Sequence, residues 1–212
     1  AEGIPSAKVV RTGDVMLDAA RCFGDVAREK SEITKDLGLV AGEFALCTLH
    51  RAENVDDRNC LEYILRGLAE VAGSLQIILP LHPRTRQRMM EFELGEFLTA
   101  AAVTVVDPVG YLDMLCLQSE AALILTDSGG VQKEAFFQRT PCVTLRTETE
   151  WVELLPGGHN RLARPGSDSI AEKARQALGA NPDWDVPLYG DGHSAETIAE
   201  SLVERTGLAN PD

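Results

Sequence analysis

Long apolar runs and an excess of basic residues are both missing from this chain. Of its 212 residues, 20 are Lys or Arg and 33 are Asp or Glu, which gives a net charge of −13. Nucleic-acid backbones are bound mainly by clustered Lys and Arg, so this balance argues against a nucleic-acid surface. No run approaches the roughly 20 apolar residues of a membrane span, and the first residues lack a signal-peptide pattern. Any phosphate must therefore be held locally, by a few side chains and backbone amides.

Paired cysteines and metal-ligand spacings are missing as well. The five cysteines never form a C-x-x-C pair, and the four histidines lie far apart along the chain. Scattered thiols in apolar contexts such as ALCTL are typical of buried cysteines in a reducing compartment. We therefore expect a cytoplasmic protein with buried thiols and no metal site.

Short apolar runs alternate with helical patterns over most of the chain. The runs contain no polar alternation, as expected when both faces of a parallel sheet are covered. This pattern predicts a doubly wound, mostly parallel α/β sheet of the Rossmann-like type. The predicted strands cover 8–11, 44–49, 76–81, 103–106, 122–126, 142–145 and 161–163. The predicted helices cover 15–30, 60–72, 84–94, 110–120, 131–138, 169–178 and 195–205.

The stretch "LTDSGGVQKEAFF" lies at the carboxyl end of a predicted strand, where such sheets bind their ligands. Its turn, with Ser128, Gly129 and Gly130, leads into a helix and presents free backbone N–H groups to an anion. Glu134, about one turn further on, can accept hydrogen bonds from vicinal hydroxyls such as those of a ribose. A nucleoside diphosphate satisfies both requirements. The same residues also fit a plain helix start, with Asp127 or Ser128 as the N-cap.

Two further strand ends carry histidine and arginine. His50 and Arg51 follow the second predicted strand and can pair with a phosphate, with Glu53 orienting one of them. His82 and Arg84 repeat this combination after the third strand. The alternative for each loop is a polar turn at the start of the next helix.

The remaining strand ends suggest contacts with a sugar and a base. Three acids and an indole lie within six residues in the loop 146–153, a combination that suits the hydroxyls and the face of a pyranose in a bound substrate. The candidate substrate-binding residues of this loop are Arg146, Thr149 and Glu150. Tyr111 and Met114 can pack against a base. The alternatives are a surface loop anchored by a buried indole and, for Tyr111 and Met114, ordinary core packing.

Seven segments of the chain resemble the C-terminal half of the UDP-N-acetylglucosamine 2-epimerases, a family with the two-domain glycosyltransferase-B fold. They run in the family's order from one end of the chain to the other. The combination of LTDSGGVQKEA with HRAE is the specific part of the match. The segments are TGDVMLDA (12–19), TLHRAEN (48–54), LPLHPRTR (79–86), DPVGYLDM (107–114), LTDSGGVQKEA (125–135), TEWVEL (149–154) and YGDG (189–192).

The resemblance implies a role for the matching positions. Ser128 and Gly129, with Gly130 beside them, would hold the diphosphate of UDP. Glu134 would bind the ribose hydroxyls, and His50 would contact a phosphate. Tyr111 and Met114 would line the uracil pocket. Arg51 and His82 match positions near a regulatory UDP-sugar site found in bacterial members.

The family's reaction defines what this chain is expected to do. The sugar is inverted at C2 by elimination of UDP to give a 2-acetamidoglucal and by re-addition of UDP, which implies neither a metal nor a nicotinamide cofactor. The catalytic carboxylates come from an N-terminal domain, so we expect an excised domain or a natural half-gene that binds UDP and UDP-2-acetamido sugars without epimerising them alone. Residues 1–193 would form the UDP-binding domain, and 194–212 a closing helix that packs on the N-terminal domain in a full-length homodimer.

One departure from the family pattern leaves the sugar open. Trp151 and Val152 stand where many members have Arg-Pro, and they resemble a subgroup that includes epimerases of UDP-2,3-diacetamido uronic acids. Hydrolysing and non-hydrolysing chemistry both stay open. Two alternative functions also remain, namely a sugar transferase of the glycosyltransferase-B type and a non-catalytic UDP-sugar-binding module.

Overall fold

The computed structural model describes residues 3–5, 8–99 and 102–206. Within these residues, six parallel strands form one sheet in the order β3-β2-β1-β4-β5-β6. This arrangement confirms the doubly wound parallel sheet predicted from the sequence. The strands are β1 (Phe44–Thr48), β2 (Gln76–Pro80), β3 (Val103–Val106), β4 (Leu123–Thr126), β5 (Cys142–Thr144) and β6 (Asn160–Leu162).

Helices connect the strands and begin at local capping signals. Asp14, Asp57, Ser128 and Ser169 each accept a backbone N–H of the first turn that follows them. In the described part of the chain, no helix has the length and apolar character that a membrane span requires. The helices are α1 (Val15–Lys30), α2 (Ile33–Asp36), α3 (Ala52–Val55), α4 (Arg58–Ala72), α5 (Pro83–Glu91), α6 (Glu96–Thr99), α7 (Tyr111–Glu120), α8 (Gly129–Phe137), α9 (Ile170–Leu178) and α10 (Ser194–Thr206).

The sheet is buried on both faces. Successive residues of a strand point to opposite faces, and in β1 Ala45 and Cys47 join a core cluster that contains side chains of α4 and α9. Phe44 and Leu46 join a second cluster on the other face, with side chains of α7 and α8. This two-sided burial explains why the apolar runs contain no polar alternation.

The predicted strand at 8–11 is wrong. These residues form no strand, and Val9 and Val10 are 59% and 45% exposed. A strand exists only where a neighbour can pair with its backbone, and the two edges of the sheet are formed by β3 and β6. An apolar pair without such a neighbour stays irregular.

Smaller differences concern short elements and two thiols. The four-residue helices α2, α3 and α6 were not predicted, because four residues cannot display a helical period. The expectation of buried thiols holds for Cys47, Cys116 and Cys142, but Cys60 is partly buried and Cys22 is exposed. The end of the predicted closing segment, 207–212, lies outside the described residues.

The strand order places a crevice between β1 and β4. The chain leaves β1 towards β2 and returns from β3 to β4, so the loops beyond β1 and β4 diverge, and ligands of doubly wound sheets bind at this point. The last residues of the two strands are joined here, since Thr48 Oγ1 and Thr126 Oγ1 lie 2.6 Å apart. His50 and Ser128 follow these residues and therefore lie at the crevice.

Candidate functional site

The start of α8 combines a helix cap with backbone N–H groups that can bind an anion. Ser128 is the N-cap, and its Oγ accepts the Val131 N–H at 3.5 Å. The N–H groups of Gly129 and Gly130 belong to the first turn and have no acceptor within the helix. They point out of the helix at the positive end of its dipole. The two interpretations of this stretch are thus compatible, with Ser128 rather than Asp127 as the cap.

Neither glycine is required by the packing of the chain. Both lie in helical conformation in α8, outside the positive-φ region. A methyl group at Gly129 would lie no closer than 3.6 Å to any neighbour, and one at Gly130 no closer than 3.7 Å. Glycine costs up to about 1 kcal/mol relative to alanine in a helix. Close approach of a ligand to the backbone is a physical reason for glycine at both positions.

A cavity of about 190 Å³ opens beside this helix start. It lies at the carboxyl ends of β1, β2 and β4, and it brings together four of the predicted site residues, His50, His82, Met114 and Ser128. Its walls are partly apolar, which suits a base beside a polar diphosphate site. The lining residues are Thr48, Leu49, His50, Pro80, His82, Pro108, Val109, Met114, Ser128 and Val131.

Asp127 links the loops after β1 and β4. Its side chain is fully buried and accepts the backbone N–H groups of His50 at 3.0 Å and Arg51 at 2.8 Å. Asn54 Nδ2 donates to the same carboxylate at 3.2 Å, and His50 Nδ1 lies 3.3 Å from its other oxygen. From the sequence, Asp127 was predicted only as a possible helix cap. Its contact with His50 could have been predicted from the position of an acid directly after one apolar strand and of a histidine directly after another.

Glu53 does not orient either neighbour, contrary to the interpretation of the HRAE segment. Its carboxylate accepts the Arg146 Nε at 2.8 Å, across the crevice from β5. His50 is oriented by Asp127 instead. The order of the strands explains why Asp127 rather than Glu53 contacts His50, because Asp127 follows β4, which lies directly beside β1 in the sheet.

The two predicted regulatory residues lie on either side of His50. His82 is the N-cap of α5, where its Nδ1 accepts the Arg84 N–H at 3.2 Å, and its ring centroid is 5.6 Å from that of His50. Arg51 lies 3.6 Å from Glu150 and close to Gly129. His82 therefore lies in the cavity beside the start of α8, and Arg51 lies next to Gly129.

Arg146 and Glu150 form a charged pair at the rim of the site. Arg146 is buried, and its Nη1 donates to both Glu150 oxygens, at 2.8 and 2.9 Å. The pKa of Glu150 is lowered by its own backbone N–H and then by Arg146. Thr149 is buried and donates from Oγ1 to Gln132 at 2.6 Å, so this hydroxyl supports the loop. Glu150 keeps about half of its side chain exposed and can accept hydroxyl groups of a ligand.

Glu134 lies in the second turn of α8 rather than the first. It is buried, and its carboxylate accepts Gln118 Nε2 at 2.8 Å and interacts with the Tyr111 hydroxyl. Burial raises its pKa, while Gln118 and Tyr111 oppose that rise. The Tyr111 ring packs against Phe23, with centroids 5.9 Å apart, and does not line the cavity that contains Met114.

Trp151 ties the loop after β5 to the start of α8. Its Nε1 donates to the Gly129 carbonyl at 2.8 Å. The Lys133 ammonium lies 4.3 Å from the indole centroid and 2.5 Å from Asp14 Oδ2. Lys133 was not predicted as a site residue from the sequence, because its neighbours come from three distant segments of the chain. The indole is therefore held on two sides, and the adjacent Glu150 is held with it.

A parallel Rossmann-like sheet with an anion-binding helix start at its switch point is typical of nucleotide-binding domains. The family model of UDP-N-acetylglucosamine 2-epimerase matches residues 1–203. The chain belongs to this family, which confirms the resemblance seen in its motifs.

Individual relatives agree with this assignment. A UDP-2,3-diacetamido-2,3-dideoxy-D-glucuronate 2-epimerase from Pseudomonas aeruginosa is 46% identical over 201 residues, covering 94% of this chain and 54% of that protein. A UDP-N-acetylglucosamine 2-epimerase homolog from Methanococcus maripaludis is 38% identical over 203 residues, covering 95% of this chain and 56% of that protein. The chain therefore spans about half the length of the curated relatives it matches.

Solved structures show the same fold. The UDP-GlcNAc 2-epimerase of Methanocaldococcus jannaschii, crystallised in complex with UDP-GlcNAc and UDP, superposes with a TM-score of 0.87 at 36% identity. The match covers 96% of this chain and 57% of that one. The glycosyltransferase-B-like expectation for the sheet is consistent with this similarity.

Proposed function

We propose that this chain is the UDP-binding part of a UDP-2-acetamido-sugar 2-epimerase. The observation that carries the proposal is the start of α8, where two glycine N–H groups without intrahelical acceptors open beside a cavity with His50 and Met114 on its walls. The relative from Methanocaldococcus jannaschii was crystallised with UDP and UDP-GlcNAc, which supports the same ligand class here.

Each part of the nucleotide has a matching group. Gly129 and Gly130 would donate backbone N–H groups to the diphosphate, and His50 would contact a phosphate from the β1 side. Glu134 would accept the ribose hydroxyls, and Met114 would pack against uracil. Tyr111 would support Glu134 through its hydroxyl, since the two side chains interact.

The chemistry assigned to this part is stabilisation of the leaving group. Elimination of UDP from C1 places negative charge on the diphosphate, and helix-terminal N–H groups fixed in advance stabilise that charge. Re-addition of UDP to the glucal at C1 uses the same contacts in reverse. The groups that remove and return the C2 proton would come from an N-terminal domain, on which residues 194–212 would pack, so we expect UDP binding without epimerisation by this chain alone.

The sugar that we favour is a UDP-2,3-diacetamido uronate, because the relative named for that substrate is 46% identical and Trp151 fits the corresponding subgroup. Glu150 and Arg146 would lie on the sugar side of the diphosphate, with Thr149 supporting their loop. Homodimers of the full-length protein, a cytoplasmic location and a role in cell-surface polysaccharide synthesis stay predictions.

Thermal denaturation with UDP, UMP and ADP tests the proposal. A ligand at about 100 times its dissociation constant adds roughly 2.7 kcal/mol to the free energy of unfolding. We expect stabilisation by UDP, less by UMP and little by ADP. An equal response to UDP and ADP would leave only the anion site at α8 and would contradict the uracil pocket.

Two variants separate the ribose contact from the phosphate contact. Glu134→Ala should weaken UDP far more than pyrophosphate, which has no ribose, whereas His50→Ala should weaken both. Equal losses of UDP and pyrophosphate in Glu134→Ala would contradict the ribose assignment. Isothermal titration calorimetry measures both affinities.

A further inference from the structure

The carboxylate of Asp127 is fixed by three donors before it meets the His50 ring. Two backbone N–H groups and the side chain of Asn54 converge on Oδ2, at 2.8 to 3.2 Å. Asn54 is itself held, because its Nδ2 also donates to the Leu145 carbonyl at 2.8 Å. The Asp127 side chain therefore has one orientation, and its Oδ1 faces the imidazole of His50.

This contact determines where the His50 proton lies. Nδ1 is 3.3 Å from Asp127 Oδ1. Without a proton, Nδ1 would direct its lone pair at a carboxylate oxygen that also carries lone pairs, which is repulsive. In a neutral ring this contact favours the tautomer with the proton on Nδ1, which leaves Nε2 on the side of the ring away from Asp127. The ring itself lines the cavity.

His82 has the opposite arrangement. Its Nδ1 accepts the Arg84 N–H at 3.2 Å, so in the neutral ring the proton lies on Nε2. The two rings are 5.6 Å apart in one cavity. The Arg84 N–H therefore favours the tautomer of His82 with its proton on Nε2, and Asp127 favours the tautomer of His50 with its proton on Nδ1.

The structure assigns Asp127 as the positioning residue of His50, acting in the proposed UDP site. A phosphate oxygen accepts hydrogen bonds and donates none, so a ring with its first proton on Nδ1 binds phosphate only after Nε2 gains a second proton. UDP binding then takes up a proton at His50, and Asp127 is the counter-ion of the imidazolium, as a buried aspartate is in catalytic triads.

The surroundings of His50 agree with this assignment. The charged and titratable groups that face it are Asp127 after β4, His82 after β2 and Arg51 in its own loop, with Glu150 after β5 paired to Arg51. The loop after β3 faces the cavity with Pro108 and Val109, which carry no charge. Among these groups, Asp127 is the carboxylate in contact with the ring.

Long-range ¹H–¹⁵N NMR of the whole chain without nucleotide tests the tautomers directly. At mildly alkaline pH we expect a protonated Nδ1 for His50 and a protonated Nε2 for His82, with His50→Gln and His82→Gln used to assign the signals. In Asp127→Asn the side-chain amide would donate to Nδ1, and the His50 proton should move to Nε2. A protonated Nε2 at His50 in the wild-type protein would overturn the inference, and this readout does not depend on the folding of Asp127→Asn.

Calorimetry in buffers of different ionisation enthalpy supplies the second readout. We expect UDP binding to take up a proton in the wild-type protein, and Asp127→Asn to lose this uptake and bind UDP about tenfold more weakly. The matched control is Asp107→Asn, which removes the same charge from the end of the edge strand β3, where the carboxylate is exposed and pairs with Arg86. Equal uptake in wild type and Asp127→Asn would overturn the inference. Failure of the wild type to bind UDP would instead refute the proposed function, and the NMR result alone would then decide the role of Asp127.

Discussion

Arg146 holds Glu150 through one guanidinium nitrogen, which lies 2.8 and 2.9 Å from the two carboxylate oxygens. The same side chain donates from Nε to Glu53, at 2.8 Å. Arg146 is buried, whereas each carboxylate is about half exposed. One buried cation therefore balances two acids beside the anion site at α8.

Replacing Arg146 should both destabilise the fold and weaken anion binding. Arg146→Met removes the partner of Glu53 and leaves Glu150 with the more distant Arg51, at 3.6 Å. Because both carboxylates are partly solvated, we expect a loss of about 1–2 kcal/mol in the free energy of unfolding. UDP should bind more weakly, because the negative charge beside the start of α8 increases. Urea denaturation and calorimetry measure the two effects. Arg139→Met is the matched control, since its pair with Asp185 is exposed and should contribute less than about 0.5 kcal/mol.

Gly130 offers a test of stability against function. Gly130→Ala should stabilise the free protein by up to about 1 kcal/mol, because alanine favours the helix and its methyl meets only ordinary contacts. The same methyl should block the approach of a diphosphate to the backbone. Gly24→Ala, in the interior of α1, adds a methyl that would meet only ordinary contacts, at 3.8 and 3.9 Å, and should stabilise similarly without changing UDP affinity. Unchanged UDP binding by Gly130→Ala would contradict the backbone contact.

The pH dependence of stability should reveal the buried acid Glu134. Burial raises its pKa, so the native protein binds this proton more tightly than the unfolded chain does. Stability from this group therefore falls as pH rises from about 4.3, the ordinary glutamate pKa, through the raised native pKa. Glu134→Gln should remove this fall and be more stable than wild type above that window. Urea denaturation over a pH series measures the difference.

An exposed acid provides the control with the opposite sign. The pKa of Glu172 is lowered, first by its hydrogen bond with Arg175. Its contribution is present above the ordinary glutamate pKa and is lost as pH falls through the lowered value. Glu172→Gln should therefore change stability at neutral pH but not at acid pH. A slope change of the same sign in both variants would contradict the burial argument for Glu134.

Thiol labelling tests the packing of the sheet. Cys47 and Cys142 are buried in β1 and β5, and desolvation raises both pKa values, that of Cys142 to about 12. Cys22 on α1 is exposed. A thiol reagent should therefore modify Cys22 rapidly in the native protein and the buried cysteines only on unfolding. Rapid labelling of Cys47 in the native state would show that the core is not packed as described.

Local patterns in the sequence predicted the elements and the loops of the site. Apolar runs without alternation identified β1, β2 and β4, and the position after each run identified His50, His82 and Ser128 as candidates. The Ser-Gly-Gly stretch predicted a capped helix start with free backbone N–H groups, because capping and helix-terminal N–H groups are properties of a few consecutive residues. The strand predicted at 8–11 failed, because pairing depends on a neighbour and not on composition.

The partners of the site residues were decided only by tertiary structure. Asp127 meets His50 and Arg51 although 77 and 76 residues separate them, and Arg146 meets Glu53 across 93 residues. These contacts follow from the order of the strands, which places β4 between β1 and β5. No local pattern encodes that order, since it arises from packing all the apolar faces at once. The sequence by itself indicated which groups are candidates for phosphate binding, and the folded sheet decided which acid contacts which base.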